Sequence, residues 1–99
     1  MTTDIIERLT QSGHLTDVKA ESWAALCVLL QAIEVIVNDG ATAVVKLDGE
    51  RSTDRHTVIV SGGRLGADFY RGDSDDLRKL LEEAIRFYDE KVWRLEKSE

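Results

Sequence analysis

Two stretches of the chain carry apolar residues at intervals of three and four, the spacing of a helix with one buried face. The first spans Thr3 to Gln11, with Gly13 as a stop signal. The second is capped by Asp73 and runs to about Lys97. Its apolar stripe consists of Leu77, Leu80, Leu81, Ala84, Ile85, Tyr88, Val92 and Leu95. Both stretches therefore predict amphipathic helices.

A stretch between them, from Thr16 or Asp17 to Asn38-Asp39-Gly40, is apolar nearly all the way round. One side is lined by Trp23, Leu26, Cys27, Leu30, Ile33 and Val37, and the other by Ala24, Ala25, Val28, Ala32 and Val35. A helix of this kind lies at the centre of a fold or meets a partner chain. In an alternative interpretation, Ile33 to Val37 is a strand that ends in a hairpin turn. We favour the helix, because the strand would leave the helix short and Gly40 serves equally well as a helix stop.

Polar and apolar residues alternate in three further stretches, with the period of a half-buried strand. These are 41–47, 55–61 and 64–71, and Gly62-Gly63 between the last two indicates a two-residue hairpin turn. Such a turn places Ser61 opposite Arg64. The residues then expected on the core face are Val58, Val60, Leu65, Ala67 and Phe69. Those expected on the outer face include Arg55, Ile59 and Tyr70.

The order of these elements predicts an α+β fold in a single domain over residues 1–99. It is helix, helix, three strands and helix, with a three-stranded antiparallel sheet and the helices packed on one face. Two long apolar helices supply more apolar surface than three short strands cover. We therefore expect a surface that needs a partner.

Charge and hydropathy narrow the classes of partner. The chain has 19 acidic and 13 basic residues, for a net charge of −6 at pH 7. This balance disfavours nucleic acid and anionic membranes as partners. The most apolar run, from Trp23 to Val37, is shorter than the roughly 20 residues that span a bilayer. No segment has the pattern of a signal peptide, so we expect a cytoplasmic protein without membrane contact.

The nucleophilic and basic side chains form no catalytic motif. His14 and His56 stand outside any recognised arrangement with a nucleophile. Cys27 lies in the most apolar helix without a basic neighbour, so it is expected to pack in the core.

Two further patterns suit structural roles better than ligand binding. Gly62 to Gly66 joins two strands, whereas a phosphate loop leads from a strand into a helix. The aspartates at 73, 75 and 76 lack the spacing and the glycine of a calcium loop and fit helix capping. We therefore expect a protein without enzymatic activity, cofactor or metal.

Trp93 is the first candidate contact for a partner protein. On a helical wheel it lies about 150° from the centre of the apolar stripe, beside Asp89 and Glu90. An exposed tryptophan is typical of a binding surface. The alternative is that the first helix covers it through Ile5, Ile6 and Leu9.

The sheet and its first loop supply two more candidates. Ile59 and Tyr70, framed by Arg55, form an apolar strip with Val44 on the predicted outer face. The polar loop between the first two strands carries Arg51 and has a length that suits recognition. Either surface is expected to contact protein.

These features favour a small acidic protein-binding domain that binds a basic partner. An inhibitor, an immunity protein, an anti-defence protein and a chaperone-like protein all fit this description. An alternative is a homodimeric structural or accessory subunit, which the all-round apolar helix and Trp93 support.

Over residues 17–97 the order helix, three strands, helix is similar to the topology of double-stranded RNA-binding domains. The resemblance implies phosphate contacts from the start of the last helix. In this chain that position is Asp73-Ser74-Asp75-Asp76, followed by Arg78 and Lys79. A basic strip lies elsewhere, at Lys46, Arg51, Arg55 and Arg64. Because the carboxylates would repel phosphate, nucleic-acid binding is the less favoured alternative.

Overall fold

The structure is a computed structural model that describes residues 3–16, 21 and 23–97. The helices are α1 (Thr3–Gln11), α2 (Leu26–Asn38) and α3 (Leu77–Tyr88), and the strands are β1 (Thr42–Leu47), β2 (His56–Ser61) and β3 (Phe69–Ser74). After α3 the chain passes through a π-helical turn, Asp89–Trp93, into a last helical turn, Arg94–Lys97. This order confirms the predicted α+β fold. The second helix is predicted to start at Thr16 or Asp17; Thr16 is not helical, and Asp17 lies outside the described residues.

The sheet has the order β1-β2-β3, with both pairs antiparallel. Helix α3 packs against β2 and β3, while α2 packs against α3 and β1. The core between the helices and the sheet is made of Leu26, Ile33, Ile36, Ala41, Val58, Val60, Leu65, Leu77, Leu80, Leu81, Ala84, Tyr88 and Val92. The prediction of helices packed on a three-stranded antiparallel sheet is confirmed.

Residues 33–37 belong to α2, so the helix interpretation of this segment is confirmed. The helix ends as the glycine signal predicts: the Gly40 N–H donates to the Val37 carbonyl at 3.0 Å, and Gly40 has φ +112°. However, α2 does not lie at the centre of the fold. It buries Leu26, Ile33 and Ile36 and leaves Val28 and Val35 exposed. The all-round apolar pattern therefore reflects one packed face and one open face.

The predicted two-residue hairpin at Gly62-Gly63 is wrong. Ser61 pairs with Phe69, and Gly63–Leu65 forms a 3₁₀ turn within the longer connection. The side chain of Leu65 is buried in the core, as predicted, but it lies in this connection rather than in a strand. The strand therefore starts later than predicted, and its register changes.

This change of register moves Phe69 and Tyr70 to the opposite face from the one predicted. Phe69, expected in the core, is exposed, and so is Ala67, which lies in the connection before β3. Tyr70, expected on the outer face, lies opposite Val60 on the core face. A shift that exchanges even and odd positions of a strand exchanges its two faces.

The π-helical turn changes the direction of the side chains that follow α3. A π turn spaces its hydrogen bonds one residue wider than an α turn, so later positions rotate by about 100°. Leu95, predicted in the apolar stripe, is 60% exposed, while Val92 is buried. The ring of Trp93 packs edge-on against Tyr88, with centroids 4.9 Å apart. Trp93 is thus half-buried by its own helix, whereas Ile5 and Ile6 of α1 remain exposed.

A buried tyrosine joins three elements of the fold. The Tyr88 hydroxyl donates to Asp39 Oδ2 at 2.5 Å, and Arg64 Nη2 donates to the same oxygen at 2.7 Å. The hydroxyl first, and then the guanidinium, lower the pKa of the Asp39 carboxyl below its ordinary value. These bonds tie the end of α2 and the 3₁₀ turn to the last turn of α3.

Candidate protein interface

Two of the predicted contact residues, Trp93 and Asp89, line a groove between α2 and α3. The groove has a volume of about 420 Å³, and Leu29 and Ile85 supply the rest of its apolar lining. Charged side chains of both signs surround it, and Asp89 is paired with Arg94 Nε at 3.1 Å. Glu90 is exposed on the same π-helical turn. The groove therefore presents one aromatic ring and no excess of one charge.

Ile59 and Tyr70 are not brought together. Ile59 is half-buried on the outer face of the sheet, in register between Val44 and Arg71. Tyr70 lies on the other face, where its hydroxyl donates to Glu83 Oε1 at 2.9 Å. The outer face instead presents Phe69, which is 62% exposed.

Arg51 holds the β1–β2 loop against the sheet. Its Nη1 donates to Asp73 Oδ1 at 3.1 Å, and the Thr57 hydroxyl donates to the same oxygen at 2.5 Å. Arg71 Nε approaches Asp73 Oδ2 at 3.3 Å. The Thr57 hydroxyl first, then Arg51 and Arg71, lower the pKa of Asp73 to about 2. Arg55 is also engaged, because its backbone N–H donates to Asp75 Oδ1 at 3.1 Å.

We expect Asp73 to make the stability of the fold depend on acid pH. The folded pKa of about 2 lies below the ordinary value of 3.8, so the stabilisation is complete above the ordinary pKa and is lost as pH falls through the folded one. In urea unfolding measured at a series of pH values, the free energy of unfolding of Asp73→Asn should fall less than that of the wild type as pH decreases over this interval. The control Asp68→Asn removes an exposed carboxylate whose side chain has no partner in the described part of the chain. Identical profiles for Asp73→Asn and the wild type would contradict the expectation.

Large apolar side chains are left uncovered on α2 and on β1, against which α2 packs. Seven positions separate Leu30 from Val37, so they share one side of α2, and Val45 and Leu47 share the core face of β1. The exposed fractions of Leu30, Val37, Val45 and Leu47 are 45, 43, 36 and 55%. We call these four residues the α2–β1 surface. Val58, the neighbour of Val45 in the sheet, is completely buried, so the cover provided by the helices ends at the edge strand.

Sequence reasoning missed this surface although it assigned the faces of β1 correctly. The alternation placed Val45 and Leu47 on the same side as Ala41 and Ala43, and Ala41 is indeed buried. What the pattern does not contain is the position of α3. That helix covers β2 and β3 and leaves β1 to α2 alone. The available signals were the apolar character of α2 on all sides and the position of β1 at an edge of the sheet.

The residues with potential chemistry occupy other places. His56 is half-buried at the end of β2, and its Nδ1 is buried without a hydrogen-bond partner in the described structure. It lines, with Asp75, two adjoining cavities of about 430 and 320 Å³. Cys27, expected in the core, is exposed, because it lies on the side of α2 that faces away from α3 and the sheet. The prediction for Cys27 is therefore wrong.

The aspartates near α3 are used in the fold. Asp76, rather than Asp73, caps α3, since its Oδ1 accepts the Lys79 N–H at 3.1 Å. Among the residues that the structure describes, no three histidine, cysteine or carboxylate side chains are grouped as metal ligands. Within the same residues, no helix has the length and apolar character needed to cross a membrane.

Comparison of the chain with family models, curated proteins and solved structures gives no match.

Proposed function

We propose that this protein is a non-catalytic protein-binding domain and that its partner docks on the α2–β1 surface. The observation that carries the proposal is the exposure of four large apolar side chains on two adjacent elements. Scattered exposed apolar residues are ordinary on a monomer, whereas a contiguous apolar area is typical of an interaction site.

Burial of this surface supplies a useful binding energy. Complete burial of a leucine or valine side chain is worth about 1.5–3 kcal/mol, so covering half of each contributes about 1 kcal/mol per residue. The free edge of β1 adds backbone groups that can bond to a partner strand. A surface of this kind supports specific association without further polar contacts.

The charge of the chain supports a basic partner for this domain. A net charge of −6 attracts a basic protein at long range and accelerates its association at low salt. An inhibitor, an immunity or anti-defence protein and a chaperone-like protein all use this chemistry. The carboxylates of Asp75 and Asp76 at the start of α3 disfavour the phosphate contacts of an RNA-binding domain.

A pair of leucine substitutions tests the docking surface. Leu47→Lys places a charge on the α2–β1 surface, whereas Leu95→Lys makes the same change at a leucine that is 60% exposed elsewhere. Each protein is immobilised and exposed to the host lysate. We expect the Leu47 variant to retain at least tenfold less of the partner protein than the wild type does. The Leu95 variant should retain it, and raised salt should weaken retention of a basic partner.

The two variants carry the same net charge, so a difference in retention between them reports contact at the α2–β1 surface rather than long-range attraction. Equal retention by wild type and Leu47→Lys would remove the α2–β1 surface from the proposal. Failure of the wild type to associate with any protein, itself included, would remove the proposed function.

A further inference from the structure

We infer that the occupant of the α2–β1 surface is a second copy of this chain, paired edge to edge through β1 in a continuous six-stranded sheet. The inference rests on the proposed function for the location of the interface, and it places a second copy there instead of a basic protein. It follows from the direction of the free backbone groups of β1, the charges along the two sheet edges and the symmetry of a strand paired with itself.

The hydrogen bond at the end of the first hairpin fixes which backbone groups of β1 are free. The Asp48 N–H donates to the Arg55 carbonyl at 2.8 Å, in the same register as the β1–β2 pairs. In an antiparallel ladder, alternate residues direct their N–H and C=O toward the neighbouring strand. Even-numbered residues of β1 therefore bond to β2. The N–H and C=O groups of Ala43, Val45 and Leu47 point away from the sheet, at an edge beside which the described residues place no further strand.

The two edges of the sheet differ in how they resist such pairing. Natural edge strands are protected by charged side chains, proline, bulges or cover from another element. Strand β3 carries Arg71, Gly72 and Asp73 and lies under α3. Strand β1 is Thr-Ala-Val-Val-Lys-Leu, with one charged side chain and apolar groups exposed on both faces. Edge pairing is therefore favoured at β1.

Symmetry decides how two copies of β1 meet. An antiparallel pair of identical edges is related by a twofold axis normal to the sheet, which keeps the helices of both copies on one face. With the axis at Val45, each Val45 faces its counterpart, and the small Ala43 lies opposite the large Leu47 of the second copy. Lys46 then faces Val44 of the second copy rather than another lysine, and it keeps its own ion pair with Asp48 at 3.5 Å.

The same axis covers the rest of the surface. Helix α2 packs against β1 and exposes Leu30 and Val37 on one side. In the inferred pair, the two copies of α2 meet above the paired edges and contact each other through these residues. All four residues of the α2–β1 surface thus become buried in one symmetric contact. A partner that added only a strand would leave Leu30 and Val37 exposed.

Salt distinguishes this partner from a basic protein. Two copies each carry a net charge of −6 and repel one another at long range, so screening strengthens their association. A complex with a basic protein weakens under the same change. The dimer is therefore expected to become tighter as salt rises.

Substitution of Val45 by proline tests the edge directly. The lost N–H is the one that points away from β2, so the intramolecular ladder remains complete, and proline is tolerated on such edges. In sedimentation equilibrium, the mass of the wild type should rise from 11.1 kDa toward twice that value with increasing concentration. Val45→Pro should remain at 11.1 kDa over the same range. The control Val45→Thr keeps both the N–H and the side-chain shape and should still dimerise.

Circular dichroism and thermal unfolding establish that each variant is folded. If Val45→Pro fails to fold, Leu30→Glu probes the same contact from α2 and should also give a monomer. A wild type that stays monomeric at high concentration and high salt overturns the self-pairing. In that case, Leu47-dependent capture of a different protein would still support the proposed function. A dimer that survives both Val45→Pro and Leu30→Glu overturns the inference as well.

Discussion

Replacement of Gly63 by alanine is expected to lower the free energy of unfolding by about 3 kcal/mol or more. Gly63 has φ +57°, a left-handed conformation that costs an L-residue roughly 1–2 kcal/mol. A methyl group at this position would also lie 2.7 Å from the Gly40 carbonyl carbon and 2.9 Å from the Ala41 nitrogen. These are backbone atoms and cannot rotate away, so the clash adds to the conformational cost.

The expected loss is large because this contact joins two distant parts of the chain. Gly40 ends α2, and Gly63 opens the 3₁₀ turn that buries Leu65. Separation of the two glycines would also draw Arg64 away from Asp39, to which it is bonded at 2.7 Å. Urea unfolding monitored by circular dichroism measures the effect.

Gly66→Ala is the matched control for Gly63→Ala. Gly66 has φ +61°, but a methyl group there would meet no atom within 4 Å. Its ψ of −120° places it in a region that L-residues rarely adopt, so this variant should lose only the conformational part, about 1–3 kcal/mol. If both variants lose the same free energy, the contact between Gly63 and Gly40 contributes nothing to stability.

The error in the predicted hairpin arises from the same contact. Consecutive glycines indicate positive φ, and both Gly62 and Gly63 do have it. Sequence offers two explanations for that signal, a two-residue turn and a close approach of backbones. Only the tertiary structure distinguishes them, because the neighbour of Gly63 is Gly40.

The sequence indicated that an apolar surface would remain open but did not indicate where in the fold it would lie. Helical periodicity correctly predicted α2, and its all-round apolar character indicated an open face. Which side stays open depends on where α3 packs, and this placement is absent from the local pattern. For the same reason Cys27 was placed in the core although it is exposed.

Leu81→Ala is expected to cost about 3 kcal/mol, the usual loss when a fully buried leucine leaves a cavity. Leu81 belongs to α3, and its side chain is completely buried in the core. For a domain of about 100 residues, each kcal/mol lowers Tm by about 4–8 °C, so the variant should melt at least 10 °C below the wild type. Because a small domain has only about 5–15 kcal/mol of total stability, this loss is a large share of it.

Leu95→Ala is the control, since the sequence pattern assigns both leucines to one stripe. The π-helical turn Asp89–Trp93 lies between them and rotates Leu95 into solvent, where it is 60% exposed. The Leu95 variant should therefore change the free energy of unfolding by less than about 0.5 kcal/mol. A loss at Leu95 close to that at Leu81 would mean that the stripe continues unbroken as an α-helix. The comparison of the two losses of unfolding free energy thus tests whether the π-helical turn is present in solution.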